Sequence, residues 1–232
     1  MNRYDFIIAK GLYTMIKAVI FDLDGTILDT EKYYRICWPK ACEHFGFHMT
    51  EDMYLQLRSF GRPFVYDRFR EWFGDSFNYD EVRAYRKSIY EEIVKEHGIQ
   101  LKPGALNALN KLKENGILRA VATATDLERT GRYLKSVGLD GQFDKICSAA
   151  DCEFGKPAPD VYLKAVEQLG LDPSECIAVE DAPNGILSAS RAGLRVVFVP
   201  DQTESEPEVE HLCMTKIKTL DDLPKVIENE QK

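Results

Sequence analysis

The run Ile16 to Phe21 is almost wholly apolar and ends in two aspartates one residue apart, Asp22 and Asp24, followed by Gly25-Thr26. No other stretch limits the fold so strongly. The run reads as a buried strand, and burying a carboxylate is costly unless it is paired or bound to metal. A strand that delivers two acids into a Gly-Thr turn therefore suggests a site. One turn of backbone can then supply a nucleophile, a general acid/base and metal ligands. A calcium loop would need more oxygen ligands and a Glu at its twelfth position. Counted from Asp22 that position is Tyr33, so the EF-hand reading fails. Taken alone, the pair still competes with an ordinary turn.

The rest of the chain gives the strand its setting. Glu31 to His97 lacks buried-strand runs, and Phe64, Tyr66, Phe69, Trp72 and Phe73 recur at helical spacing. Pro63 suits the start of that helix and Gly74 its stop, and Asp80 could N-cap the next helix, with Gly98 after it. Beyond Lys102-Pro103-Gly104 the pattern alternates. Helices are expected at 105–115, 126–137, 160–169 and 185–192. Strands are expected at 117–122, 145–148, 176–179 and 195–199. Such alternation implies a parallel sheet with right-handed crossovers. The first strand thus belongs with residues 101–232, and the helical block at 31–100 is an insertion after it.

At 232 residues, with 44% hydrophobic and 29% charged residues, the chain suits a globular protein with no bilayer-spanning run. The net charge of −8 argues against nucleic acid or an anionic membrane as partner. It also means that an anionic substrate must be drawn in by local cations. The insert carries a net charge of −1 and the remainder −7, so the insert is the more hospitable side for an anion. The acidic segment 201–210 reads as a solvated surface. Six cysteines without a Cys-x-x-Cys pair or zinc spacing fit reduced thiols in a cytoplasm. Residues 1–14, ahead of Met15, read as an extension without a chemical role.

Ligands of an open parallel sheet bind outside the carboxyl ends of its strands. Those ends hold Asp22 and Asp24, Thr123, and Glu180-Asp181, and the loop after 145–148 holds Lys156. Four carboxylates at one rim would repel one another without a cation. A hard divalent ion bound through oxygen, such as Mg2+, resolves this.

With these residues in order, FDLDGT at 21–26, VATAT ending the second strand, GKPAPD around Lys156 and VEDAPNG around Glu180-Asp181, the chain resembles the haloacid dehalogenase superfamily in its phosphatase and phosphomutase branch. The resemblance runs from Met15 onward. It implies an α/β fold: a Rossmann-like parallel-sheet core (15–30 and 101–232) with an inserted helical cap domain (31–100). By resemblance, Asp22 is the nucleophile, Asp24 the general acid/base, Thr123 a hydroxyl contact to the phosphoryl group, and Lys156 the neutralising cation. The same resemblance assigns magnesium to Asp22, the backbone carbonyl of Asp24, Asp181 and, directly or through water, Glu180. Thr26, Arg58, Arg62, Thr125 and Asp126 are candidate substrate contacts, with a surface role as the rival reading for the two arginines.

The resemblance implies hydrolysis of a small phosphomonoester, such as a sugar phosphate, through an aspartyl phosphate. Asp24 argues against dehalogenase or phosphonatase chemistry, which has no oxygen leaving group to protonate. A beta-phosphoglucomutase-like mutase is the alternative. Tyr34 stands where that branch carries a histidine, and Thr26 where it often carries an aliphatic residue; both favour water as acceptor. A non-catalytic binding module is disfavoured because neither Asp22 nor Asp24 is lost. The small phosphorylated metabolite is the expected partner, the chain a monomer, and Asp29-Thr30 and Lys102–Gly104 the hinges.

Overall fold

The computed structural model describes residues 15–231, so the extension expected at 1–14 lies outside the described residues. In chain order the elements are β1 (Ala18–Phe21), α1 (Glu31–His44), α2 (Glu51–Leu57), α3 (Phe64–Phe73), α4 (Tyr79–His97) and α5 (Ala105–Glu114). Then follow β2 (Leu118–Thr123), α6 (Leu127–Ser136), β3 (Lys145–Ser148), α7 (Asp160–Leu169), β4 (Cys176–Glu180) and α8 (Pro183–Arg191). The chain closes with β5 (Arg195–Phe198), α9 (Pro207–Glu210), β6 (Cys213–Lys216) and α10 (Leu223–Glu230). The six strands form one parallel sheet in the order β3-β2-β1-β4-β5-β6, the α/β architecture read from the sequence.

β1 pairs with β2 on one side and β4 on the other, Ala18 lying opposite both Leu118 and Cys176. The strand order reverses there, and a crevice opens outside the carboxyl ends at such a switch point. Alternate residues feed two cores, as the strand period of two requires. Val19, Phe21, Val121, Ile177 and Val179 join the core under α5 and α10. Ala18, Ala120, Ala122 and Ala178 face α7 and α8, where their small side chains let those helices sit close to the sheet.

The insert supplies α1 to α4. Its core is aromatic: Phe69 is fully buried, 4.8 Å from Phe77 and 5.2 Å from Trp38 between ring centroids. Burying such a side chain contributes roughly 1.5–3 kcal/mol. Pro63 and Gly74 flank α3 as expected. Asp80 does not cap α4. The Asn78 side chain accepts from the Glu81 N–H, and Asp80 falls inside the first turn, where it accepts from the Tyr66 hydroxyl. The two connectors to the sheet run side by side, tied by Asp29 N–H to Gln100 O and Lys102 N–H to Ile27 O, each 2.9 Å.

Two differences lie near the C-terminus. β6 carries no apolar run, because it is a half-exposed edge strand, and so it leaves no sequence signal. The acidic segment 201–210 is not simply solvated: Val209 of α9 is buried, and Glu206 pairs with Arg58 of the insert. Among the described residues no helix is long and apolar enough to cross a membrane.

Candidate active site

β1 ends with the Asp22 N–H on the Val179 carbonyl at 3.0 Å, which locks the first acid to β4. β4 delivers Glu180 and Asp181 beside it, and one carboxylate oxygen from each of the three acids lies within 4.8 Å of the others. Lys156 reaches into this cluster, 2.5 Å from Asp22 Oδ1 and 2.6 Å from Glu180 Oε1, with no solvent exposure. The Tyr162 hydroxyl donates to the same Glu180 oxygen at 2.5 Å. Each acid nevertheless keeps one buried oxygen without a hydrogen-bond partner: Asp22 Oδ2, Glu180 Oε2 and Asp181 Oδ2. Burial raises the Asp22 carboxyl, with Lys156 pulling it back down. Burial and the neighbouring Asp22 and Glu180 raise Asp181 well above the usual carboxylate range. One ammonium cannot balance three buried acids. Three buried carboxylates gathered within this distance, each with an unpartnered oxygen, form the hard, all-oxygen donor set that suits a divalent cation such as magnesium.

Two glycines make the cluster possible. Gly25 sits at φ 89°, and a Cβ there would fall 2.4 Å from Asp181 Oδ2. A Cβ on Gly185 would lie 2.1 Å from the Glu180 carboxylate. The turn after β1 and the first turn of α8 are thus cleared for the acids.

Asp24 is held by different partners. Its Oδ1 accepts from Thr30 at 2.6 Å and its Oδ2 from Thr125 at 2.8 Å. The second acid is therefore tied to both the connector into α1 and the turn after β2. The Thr123 hydroxyl accepts from the Thr125 N–H at 3.0 Å, so it braces that turn while keeping its own proton to donate.

Several expected substrate contacts have other partners. Thr26 donates to Asp181 Oδ1 at 3.0 Å and so orients that acid. Asp126 N-caps α6 by accepting from the Arg129 N–H at 2.9 Å, as short acids before a helix tend to do. The Arg58 guanidinium is buried against Glu206 and Thr203, which ties the insert to the loop after β5, and the residue also lines the cavity described next. Two backbone bonds reinforce that join, Gly61 N–H to Lys156 O at 2.7 Å and Gly155 N–H to Arg62 O at 2.6 Å. Arg62 itself is exposed and lines the cavity described next, its guanidinium 6.0 Å from the Tyr66 ring centre.

A cavity of about 430 Å³ lies between the strand ends and the insert, with Asp22, Asp24 and Thr125 on its floor. Its insert wall contains residues that the sequence reading passed over: Glu31, Tyr54, Arg83 and Arg86, with Arg129 from α6. The Tyr54 hydroxyl donates to Glu31 Oε2 at 2.6 Å, and burial pushes the Glu31 carboxyl up to about 8. Arg83 and Arg86 stand three residues apart on α4, the spacing that puts two side chains on one helix face. That spacing was the available signal. Their direction needed the tertiary structure.

The comparisons with known proteins agree with this geometry. A family model of haloacid dehalogenase-like hydrolases matches residues 16–193. YhcW of Bacillus subtilis is 34% identical over 191 residues, covering 81% of this chain and 85% of that protein. Hexitol phosphatase B of Escherichia coli O157:H7 is 28% identical over 221 residues, covering 90% and 94%. The solved structure of beta-phosphoglucomutase from Clostridium difficile superposes with a TM-score of 0.80 at 26% identity, covering 94% of this chain and 97% of that one. The chain belongs to the haloacid dehalogenase-like hydrolases. It is an enzyme of that class, with phosphate esters as the bonds it cleaves.

Proposed function

We propose that the protein is a magnesium-dependent phosphatase of a small phosphomonoester, a sugar phosphate or similar metabolite, working through an aspartyl phosphate. One observation carries this reading. Lys156 holds Asp22 by one oxygen, while Asp22, Glu180 and Asp181 each keep a buried oxygen without a partner and bring one carboxylate oxygen apiece within 4.8 Å of the others. Asp22, Glu180 and Asp181 would hold the ion, with the Asp24 carbonyl as a further ligand. Bound there, magnesium would offset the charge of the acids and of the phosphoryl group.

The residues then divide the work. Asp22 attacks phosphorus, forming an O–P bond as the ester O–P bond breaks, and Asp24 gives its proton to the leaving oxygen. Water next attacks the aspartyl phosphate, Asp24 takes its proton, and Asp22 is freed with release of inorganic phosphate. Lys156 balances the charge between nucleophile and phosphoryl group, and Thr123 donates its hydroxyl to a phosphoryl oxygen. Such positioning and charge stabilisation is most of what phosphoryl transfer requires. For its acid/base role Asp24 must leave Thr30 and Thr125 and turn inward. Residues 31–100 would act as the cap, pivoting at the paired connectors to admit substrate and exclude water. Every group named comes from one chain, so a monomer suffices, and six unpaired cysteines support a reducing, cytoplasmic setting.

Tyr34 favours water over a sugar hydroxyl as acceptor. Its ring stacks on Tyr90 at 4.5 Å, and the hydrogen bonds to Asp24 come from the two threonines instead. Phosphate release from an aryl phosphate, with and without magnesium, tests the hydrolase reading. Release that needs magnesium supports it, and a folded protein that releases none in either condition overturns it. With glucose 1-phosphate and a bisphosphate activator, glucose 6-phosphate formed faster than free phosphate would reassign the chain to the mutases.

A further inference from the structure

Five consecutive residues of the insert, Arg58 to Arg62, line the cavity, so their path sets its shape. No helix fixes that path, because α2 ends at Leu57 and α3 begins at Phe64. Ser59 sits at φ 58°, and among the described residues no other non-glycine has a positive φ. A side chain in the left-handed region is strained and persists only where its surroundings hold it. The loop is therefore held from outside, and the groups that hold it come from the sheet domain.

Two of the fastenings lie beside the acid cluster. The Asn184 side-chain amide donates to the Gln56 and Arg58 carbonyls at 3.0 and 2.9 Å. Gly61 and Gly155 close the backbone join to Lys156 and Arg62, and a Cβ on Gly61 would fall 2.7 Å from the Gly155 Cα. The third fastening comes from the loop after β5. The Arg58 guanidinium donates to the Leu55 carbonyl at 3.1 Å, to Thr203 Oγ1 at 3.3 Å and to the Glu206 carboxylate. Thr203 donates to the same Glu206 oxygen, and the Glu206 N–H donates to Glu210 Oε1 at 2.8 Å. The pair is nearly dry, with the Arg58 side chain 1% exposed and that of Glu206 15%. Removing one member of such a pair leaves a buried charge uncompensated, so the loop has one favoured seat.

The same loop reaches two further parts of the insert. Asp201 pairs with Lys102 in the second connector, and Gln202 accepts from Arg35 of α1 at 3.3 Å. Residues 201–206 thus touch a connector, the first helix of the insert and the cavity loop. They also lie beyond residues 16–193, the span matched by the family model.

We propose that residues 201–206 form a strap that positions the cavity loop 58–62. Glu206 and Thr203 are its positioning residues and act through Arg58. With the strap in place the loop keeps its strained path over the strand ends, and without it the loop leaves that path for part of the time. A site that is competent for only a fraction of the time binds more weakly by that fraction. The consequence for catalysis rests on the phosphatase reading, whereas the strap itself is a property of the fold.

Amide hydrogen exchange of the full chain tests the strap without turnover. The Gly61 and Gly155 N–H groups report the join, and the Asp22 N–H, bonded to the Val179 carbonyl, is the control within the sheet. In Glu206→Gln the two glycine amides should exchange about 10-fold faster, as expected when a charge-assisted hydrogen bond becomes a neutral one. The Asp22 amide should be unchanged. In an Arg58→Met background Glu206→Gln should add no further acceleration. With para-nitrophenyl phosphate and magnesium, Glu206→Gln should raise KM about 3- to 10-fold and leave kcat within about twofold. Unchanged exchange at Gly61 and Gly155 overturns the proposal. So does equal acceleration at Asp22, which marks a general loss of stability, and so does a fall in kcat with KM unchanged. If Glu206→Gln does not fold, Thr203→Val is read at the same amides, with faster exchange at the two glycines supporting the strap and no change overturning it. Wild-type protein that releases no phosphate sinks the phosphatase reading instead, and the exchange result still judges the strap.

Discussion

The two walls of the cavity are charged in opposite ways and solve the cost of buried charge differently. On the sheet side, Asp22, Glu180 and Asp181 are fixed by strand ends, share Lys156, and keep one free oxygen each. On the insert side, Arg83 and Arg86 have no ion-pair partner among the described residues, and Arg86 is supported by ring faces. The acid wall is a network whose members depend on one another. The arginine wall is a set of like charges held by packing. The contrast teaches that removing a cation from the first wall should harm the protein, whereas removing one from the second should cost the fold little.

The largest expected effect is on chemistry. Asp22→Asn should lower phosphate release from para-nitrophenyl phosphate by about a thousandfold or more, because no other group can accept the phosphoryl transfer. Retained release would show that the acid wall does something else. Next comes Lys156→Met, which leaves Asp22 and Glu180 buried without their cation. Stability in urea should fall by about 3–5 kcal/mol. Added magnesium should recover part of that loss, since a ligand of the native state stabilises by mass action. Gly61→Ala probes the join between the walls: its Cβ would meet the Gly155 backbone at 2.7 Å. A loss of about 1–3 kcal/mol is expected, with a raised KM if the insert is displaced. For Arg86→Met we expect a stability change within about 1 kcal/mol, because lost cation–π contacts are offset by relief of repulsion. A loss as large as that of Lys156→Met would erase the contrast between the walls.

The smallest effect concerns Glu31, which faces Tyr54, Asp24, Asp201 and Arg58. Its carboxyl is raised in the fold from 4.5 to about 8, chiefly by burial. The unfolded chain therefore loses this proton at lower pH than the native one. This contribution to stability is fullest below about pH 4.5 and is lost as pH rises towards 8. Glu31→Gln should flatten the decline in stability between pH 5 and 8 as measured by urea titration. An unchanged slope would mean that Glu31 ionises in the fold as it does outside it.

The sequence placed Asp22, Asp24, Lys156, Glu180 and Asp181 because each sits at a strand end or in the loop after one, and a parallel sheet gathers such ends at one rim. It did not foresee the partners that Thr26, Asp126 and Arg58 take in the fold, for one shared reason. Each was read by nearness to a motif, yet a hydroxyl, a carboxylate or a guanidinium takes whichever partner the fold brings nearest. Those partners, Asp181, the α6 amides and Glu206, are set by three-dimensional contact. The segment 201–210 is a surface segment apart from Val209, yet its acidity says nothing of the buried arginine that meets Glu206.

What the sequence determined by itself was the alternation of helix and strand, the insertion after β1, and the acids at the sheet rim. Local periodicity and strand ends are properties of neighbouring residues. What only the tertiary structure decided was the opposite wall. Arg83 and Arg86 come from α4, Arg129 from α6, and the rings that hold Arg86 from α1. No local pattern links those elements. They meet because the aromatic core of the insert packs α1 against α4, and because the paired connectors and the Gly61–Gly155 join seat that insert over the strand ends.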